Sequence, residues 1–284
     1  MRCSALAEQL GEPMVGTVDR RERWLLLEDR SAWGSHAVRD VFGADVETRA
    51  KQLGIRLLLV RRREGDPADD TARRAILVDT TSGEMASRTV SAAGELSVDD
   101  STSLPLSSFG EPFDGPLFLV CTNGKRDACC ALRGRVLVAA LAASHADAVW
   151  ECTHLGGHRF AGNLVCLPDG IVYGRVSPLD GPRLADAYVG GRLDPALLRG
   201  RSAWPAPAQV AEQALRSELG LDGVADVRLE ASTVDRDHAS VVLRTDRGTH
   251  LFDLHADRLQ PQRPTSCRAD ELEEPLHWVI SPAP

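Results

Sequence analysis

The chain has 284 residues, which is enough for two domains and a sizeable hydrophobic core. Its 43% hydrophobic and 26% charged residues are ordinary for a soluble protein, and the net charge of −8 argues against general nucleic-acid binding, which needs a basic face. No apolar run approaches the length that spans a bilayer, and the N-terminal residues lack a hydrophobic signal segment, so we expect a cytoplasmic protein with no membrane partner.

The first part of the chain predicts a strand–helix–strand unit. Residues 24–28 (WLLLE) are typical of a buried strand, and the apolar spacing over residues 35–53 predicts a helix. Two further strands are predicted over residues 55–60 and 75–78, which indicates a βαβ unit with parallel pairing. Residues 91–115 are rich in Ser, Gly, Asp and Pro and are interpreted as an inter-domain linker.

The second part of the chain repeats this kind of pattern and then adds a hairpin. The expected elements are a strand over 117–120, a helix over 127–143, a strand over 148–152, a β-hairpin over 164–176 around Pro-Asp-Gly, and partly helical structure over 184–198. The order strand, helix, strand, hairpin, helix is that of a thioredoxin-like domain, in which a mixed sheet is parallel first and antiparallel last.

A helix over 206–219 and antiparallel strands near 224–229, 240–245 and 250–255 follow, and the end from residue 261 is expected to be irregular. The fold class is therefore predicted as α/β (α+β). The predicted domains are an N-terminal α/β domain with its linker over 1–110, a related thioredoxin-like domain over 111–220, and a small antiparallel β extension over 221–284.

The candidate metal-binding residues are concentrated in the second predicted domain. Five of the seven cysteines fall between residues 121 and 166, and an odd cysteine count in a reduced compartment favours metal or redox use over disulfides. Cys121 and Cys130 are separated by eight residues, and His154 and His158 by three residues that include two glycines. Two thiolates and two imidazoles, each pair on a loop after a strand, form a four-ligand set for a soft metal.

This donor set fits either tetrahedral zinc or a [2Fe–2S] cluster with mixed ligation. A Rieske centre is disfavoured, because cysteine and histidine ligands alternate along the chain in Rieske proteins, whereas both cysteines come first here. The gap between the cysteines is also wider than that of the usual zinc-finger pair, which favours a cluster.

Two segments, residues 121–130 (CTNGKRDACC) and residues 154–163 (HLGGHRFAGN), resemble the sucrase/ferredoxin-like family of thioredoxin-like ferredoxins. The resemblance extends to WLLLE, to the WG pair at residues 33–34, to LPDG in the hairpin and to YVGG at residues 188–191, and it covers most of residues 1–220. It implies a [2Fe–2S] cluster with one iron on two cysteines and the other on two histidines. Matched residue by residue, the implied ligands are Cys121, Cys130, His154 and His158.

The function expected from this resemblance is electron transfer with a redox partner protein of unknown identity, and an electron carrier is favoured over a stand-alone enzyme. The alternatives are a zinc-stabilised structural or interaction module and a thiol oxidoreductase that uses Cys129 and Cys130. The chain has no Cys-x-x-Cys motif at a helix start, which argues against the oxidoreductase. Cys129 and Cys152 are expected not to be ligands.

Overall fold

The computed structural model describes residues 2–62 and 72–282. Residues 1 and 63–71 of the first predicted domain and residues 283–284 of the last lie outside the described residues. The strands are β1 (Arg23–Glu28), β2 (Ile55–Arg61), β3 (Arg73–Asp79), β4 (Glu84–Val90), β5 (Glu111–Pro112), β6 (Leu117–Cys121), β7 (Val149–Cys152), β8 (Leu164–Leu167), β9 (Ile171–Tyr173), β10 (Leu198–Arg201), β11 (Arg228–Asp235), β12 (His238–Thr245), β13 (Gly248–Arg258) and β14 (Leu276–Ile280). The α-helices are α1 (Cys3–Gln9), α2 (Ala37–Phe42), α3 (Ala44–Gln52), α4 (Val98–Ser103), α5 (Leu106–Phe109), α6 (Ala128–His145), α7 (Asp180–Val189) and α8 (Ala206–Leu219).

Ten strands form one mixed sheet in the order β10-β9-β8-β6-β7-β2-β1-β3-β4-β5, and β11 to β14 form a separate antiparallel sheet. Only β1 with β2 and β6 with β7 pair in parallel within the large sheet. The α/β fold class predicted from the sequence is thereby confirmed.

The large sheet contains the same topology twice. In the first half, β1 and β2 are parallel and flank two helices, and β3 and β4 continue the sheet antiparallel from β1. In the second half, β6 and β7 are parallel and flank α6, and β8 and β9 continue antiparallel from β6. The halves meet where β2 pairs antiparallel with β7, through Val60 opposite Cys152 and Arg61 opposite Glu151. One buried core spans both halves, so the predicted boundary at residue 110 stays a prediction within a continuous sheet.

Local sequence explains where helix α6, which carries Cys130, begins. Asp127 precedes α6 with an extended backbone, and its carboxylate accepts the backbone N–H of Cys129, which is the N-cap arrangement. Leu137, Val138 and Leu141 then recur on the buried face.

Helix α6 is long and apolar enough to cross a membrane by length and composition alone. Arg133 and Arg135 interrupt its apolar sequence, which is why the sequence analysis did not single it out. A core helix of a soluble domain passes the same test, and α6 packs on the sheet with a third of its window buried, so it is weak evidence for a span.

Several predicted elements differ from those observed. The helix expected over 35–53 is broken into α2 and α3 at Gly43, whose φ of 91° favours glycine. Residues 91–115, interpreted as a linker, contain α4, α5 and β5, and Val98 packs in the core of the first half. The helical segment expected over 184–198 ends at Val189 as α7, because a Gly-Gly pair follows it.

Four of the described strands, β4, β5, β10 and β14, were missed by the sequence analysis. β4 pairs with the whole of β3, although its sequence (EMASRTV) is too polar to be recognised as a strand. β14 lies in the segment expected to be irregular and pairs with β13. The small antiparallel sheet that results packs on α8, whose end at Leu219 is followed by Gly220 with a φ of 67°.

Candidate metal centre

The two predicted cysteine ligands come together at the end of β6. Cys121 is the last residue of that strand, and Cys130 lies in the first turn of α6, which returns across the strand end. Gly134 makes this close approach possible, because a methyl group at its α-carbon would collide with the carbonyl oxygen of Cys121. Both thiols are buried in the core shared by the two halves of the sheet.

The two predicted histidine ligands follow the neighbouring strand β7. Gly156 and Gly157 have φ values of 88° and 67°, so the loop between the histidines reverses in a conformation that glycine adopts readily. The reversal stacks the rings of His154 and His158 with their centroids 3.9 Å apart and their planes 9° from parallel. The Nδ1 atom of His158 lies 3.7 Å from the Sγ atom of Cys130.

The four side chains thus surround one small volume. Donor atoms of Cys121, Cys130 and His154 lie within 4.8 Å of one another, and those of Cys130, His158 and Asp127 form a second such group. Cys130 belongs to both groups, so the donors are spread over an extended site rather than around one point.

The protonation states at this site suit a metal. The pKa of Cys121 is lowered well below its usual range by a hydrogen bond from Cys130 and by interaction with His154, against the effect of burial. The pKa of Cys130 is raised, because Cys130 donates to Cys121 and is buried beside it. Burial and the neighbouring His154 lower the pKa of His158 to about 3, so its imidazole is neutral at pH 7 and available as a ligand.

The buried Arg199 and the half-buried Arg56 both donate hydrogen bonds to the histidine loop. Arg199 donates to the carbonyl oxygens of Thr17 (2.8 Å) and Gly156 (3.5 Å) and to the side-chain oxygen of Asn163 (2.8 Å). Arg56 donates to the carbonyl oxygen of Leu155 at 3.0 Å. Burial lowers the pKa of Arg199 to about 9, which still leaves it charged at pH 7. These cations place positive charge beside a site whose thiolates are negative.

The remaining cysteines occupy other places. Cys152 is the β7 residue paired with Cys121, and its side chain is fully buried in the shared core. Cys166 is buried in the core of the second half. Cys129 points away from Cys130 and packs against Cys3 and Cys267, with Sγ–Sγ distances of 3.7 and 3.3 Å.

One side of the site opens to a cleft of about 360 Å³, in which His154 and Asn123 line one wall. Arg56, Lys51 and Arg39 also line the cleft, together with Asp19 and Glu47. His154 is half-buried and therefore lies between the buried thiols and solvent.

Sequence reasoning missed Asp127 as a neighbour of the site and missed both arginines. The Asp127 carboxylate lies 4.0 Å from the Nδ1 atom of His158 while it caps α6. Its position three residues before Cys130, at a helix start, was the available signal. Arg199 lies on β10, far along the chain, and nothing local in the sequence marks it as a neighbour of the histidine loop.

Two curated proteins are similar to part of this chain. "Altered inheritance of mitochondria protein 32" from Eremothecium gossypii is 40% identical over 94 residues, which are 31% of this chain and 28% of the relative. The protein of the same name from Meyerozyma guilliermondii is 34% identical over 84 residues, 26% of this chain and 29% of the relative. The matched segment thus spans less than a third of either relative, and no solved structure matches the chain.

The sucrase/ferredoxin-like family model matches residues 14–200, which is more than half of the chain and includes all four predicted ligands. The chain therefore belongs to the sucrase/ferredoxin-like family.

Proposed function

We propose that this chain is an electron-transfer protein that binds one [2Fe–2S] cluster through Cys121, Cys130, His154 and His158. The observation that carries the proposal is the convergence of two buried thiols and two half-buried imidazoles from the ends of two adjacent parallel strands. When bound, such a cluster takes up and releases one electron. The residues around it supply its ligands, shield its sulfur side from water and leave its histidine side near the surface.

The spread of the donors favours a cluster over a single zinc ion. Four ligands of one tetrahedral zinc lie within about 4 Å of each other, because each is only about 2.0–2.3 Å from the metal. Here Cys121 is grouped with Cys130 and His154, whereas His158 is grouped with Cys130 and Asp127. An extended quadrilateral of two sulfurs and two nitrogens suits two metal ions better than one.

The geometry also argues against a thiol oxidoreductase. Cys129 and Cys130 are consecutive residues of a helix, so their side chains leave it about 100° apart. Cys129 faces Cys3 and Cys267, and Cys130 faces Cys121 and His158. A pair that points in different directions is poorly placed to cycle between dithiol and disulfide.

Electrons are proposed to pass between the cluster and a partner protein near the cleft beside His154. The cleft lining offers a partner both signs of charge, because Arg39 and Lys51 pair with Glu47 and Arg56 pairs with Asp19. The cytoplasmic location expected from the sequence stays a prediction. The names of the two relatives refer to mitochondria, so a mitochondrial compartment is the competing outcome of fractionation of the source cells.

The decisive experiment is the metal and sulfide content of anaerobically purified protein. The proposal expects two irons and two acid-labile sulfides per chain, with both lost when Cys121 is replaced by alanine. The matched control is Cys166→Ala, which removes a buried cysteine away from the site. Zinc without sulfide at these four residues would establish the zinc-stabilised module instead.

A further inference from the structure

Three cysteines that the cluster does not use meet on the other side of helix α6. Cys3 lies on α1, Cys129 in the first turn of α6, and Cys267 in the connection between β13 and β14. Their sulfur atoms form a triangle with edges of 3.3 Å (Cys129–Cys267), 3.5 Å (Cys267–Cys3) and 3.7 Å (Cys3–Cys129). All three are free cysteines, and they come from segments more than 120 residues apart in sequence.

A buried carboxylate completes the group. The oxygens of Asp127 lie 3.8 and 4.0 Å from the Sγ atom of Cys3, and the side chain has no exposed surface. The backbone N–H groups of Cys129 (2.9 Å) and Cys267 (2.8 Å) donate to the two oxygens and fix the carboxylate beside the sulfurs. Within the described chain, Cys3, Asp127, Cys129 and Cys267 form a compact group of possible ligands separate from the proposed cluster ligands.

We propose that Cys3, Cys129 and Cys267, together with Asp127, bind one zinc ion. Ligands about 2.3 Å from zinc in a tetrahedron lie about 3.8 Å apart, close to the edges observed here. Binding replaces three thiol protons, which pass to solvent, with one divalent ion, and no electron is transferred. This site does not depend on the proposed cluster, because it uses none of the same side chains.

Electrostatics at the group agree with a bound cation. Three thiolates beside a carboxylate repel one another in a buried place unless a cation neutralises them. Zinc is the fitting ion, because a carboxylate oxygen joins the sulfurs as fourth donor, whereas copper(I) would be satisfied by the three sulfurs alone.

A zinc ion bound here would link three segments that are distant in sequence. Four protein ligands leave no open position, which is the arrangement of structural zinc sites. The ion would join the N-terminal helix and the β13–β14 connection to the start of α6, the same turn that carries Cys130. We infer a structural role, in which zinc secures the helix end next to the iron–sulfur site.

The test is the zinc content of the full chain purified with zinc in the medium, measured beside iron and sulfide. We expect one zinc per chain in the wild type and loss of at least 80% of it in Cys267→Ser and in Cys3→Ser, with iron and sulfide unchanged. X-ray absorption at the zinc edge should show three sulfurs and one oxygen. Cys267 is exposed, so its replacement by serine is compatible with folding.

Two controls keep this test separate from the test of the cluster. Cys166→Ala should retain its zinc, and Cys121→Ala should lose iron while keeping this zinc. If the ligands of the proposed cluster instead hold zinc, the wild type contains two zinc ions, of which Cys121→Ala and Cys267→Ser each remove a different one. Wild type with no zinc at the triad, a zinc content that Cys267→Ser does not change, copper in its place, or a Cys129–Cys267 disulfide in the anaerobic protein would each overturn the proposal.

Discussion

The two halves of the large sheet have the same strand order, but different kinds of side chain lie at the ends of their parallel strands. In the second half, the end of β6 and the first turn of α6 carry the two thiols, and the loop after β7 carries the two imidazoles. In the first half, the loop after β1 carries Trp33, whose indole N–H donates to Asp29 and whose ring is covered by the guanidinium of Arg61 at 4.1 Å. Residues 23–90 contain no cysteine at all.

The difference shows that the topology alone does not make a metal site. Both halves deliver loop residues from the ends of adjacent parallel strands, where such loops converge. The first half uses this place for apolar and ion-pair packing, and the second uses it for donor atoms. The following predictions test whether a structural half is joined edge to edge with a half that binds metal, as proposed above.

Loss of a proposed ligand should have the largest effect. Cys121→Ala or Cys130→Ala should abolish the cluster, because one iron would retain a single cysteine ligand. The measurement is iron and sulfide per chain together with visible absorption. Cys152→Ala is the matched control at the adjacent strand end and should retain most of the iron. A coloured Cys130→Ala with a bleached Cys129→Ala would show that the ligand assignment is one residue off.

Removal of Trp33 should destabilise the first half without removing the cluster. Trp33→Ala deletes a buried indole that packs in the core of that half, so we expect a loss of about 3–5 kcal/mol in the free energy of unfolding. Chemical denaturation measures this, with iron content at zero denaturant as the second readout. Trp33→Phe should recover most of the stability. Loss of iron in folded Trp33→Ala would mean that the first half also takes part in holding the cluster.

Removal of the brace behind the histidine loop should have a smaller effect on stability. Arg199→Met leaves the Asn163 side-chain oxygen and the Thr17 carbonyl oxygen without this donor, which should cost about 1–3 kcal/mol. The loop should also hold iron less firmly, so iron release to a chelator should be faster than in the wild type. Arg183→Met, at an exposed arginine on α7, is the control and should change neither quantity. If Arg199→Met releases iron at the wild-type rate, Arg199 does not support the histidine loop.

The ion pair between the halves should have the smallest effect. Arg61 on β2 donates to Glu151 on β7 at 2.9 Å where the two strands pair, and both residues are half-buried. Arg61→Met should cost about 1 kcal/mol or less, because the Oγ1 atom of Thr122 still donates to the same carboxylate. Denaturation in low and high salt measures it, with Arg20→Met, at an exposed pair, as the reference. A larger loss in Arg61→Met would mean that the junction holds the halves together.

Much of the fold followed from local patterns. The strand at WLLLE, the capped helix α6 and the LPDG hairpin were predictable, because apolar periodicity, a capping carboxylate and turn residues act within a few positions of each other. β4 was not predictable in this way. Its polar sequence becomes a strand because β3 and β5 supply hydrogen bonds on both of its sides.

The candidate site divides along the same line. The spacing of two cysteines and two histidines predicted a four-ligand site, and the family resemblance implied Cys121, Cys130, His154 and His158 as the ligands, which stays a prediction. That Cys129 and Cys130 diverge was also implicit in the sequence, because consecutive helical residues point in different directions.

Only the tertiary structure decided what surrounds that site. Arg199 reaches the histidine loop from β10, and Cys3 and Cys267 meet Cys129 from the two ends of the chain. No local pattern encodes such meetings, because they depend on how strands pair and how the C-terminal sheet packs on α8. The sequence by itself determined which residues can bind metal, and the long-range pairing of strands determined which of them share a site.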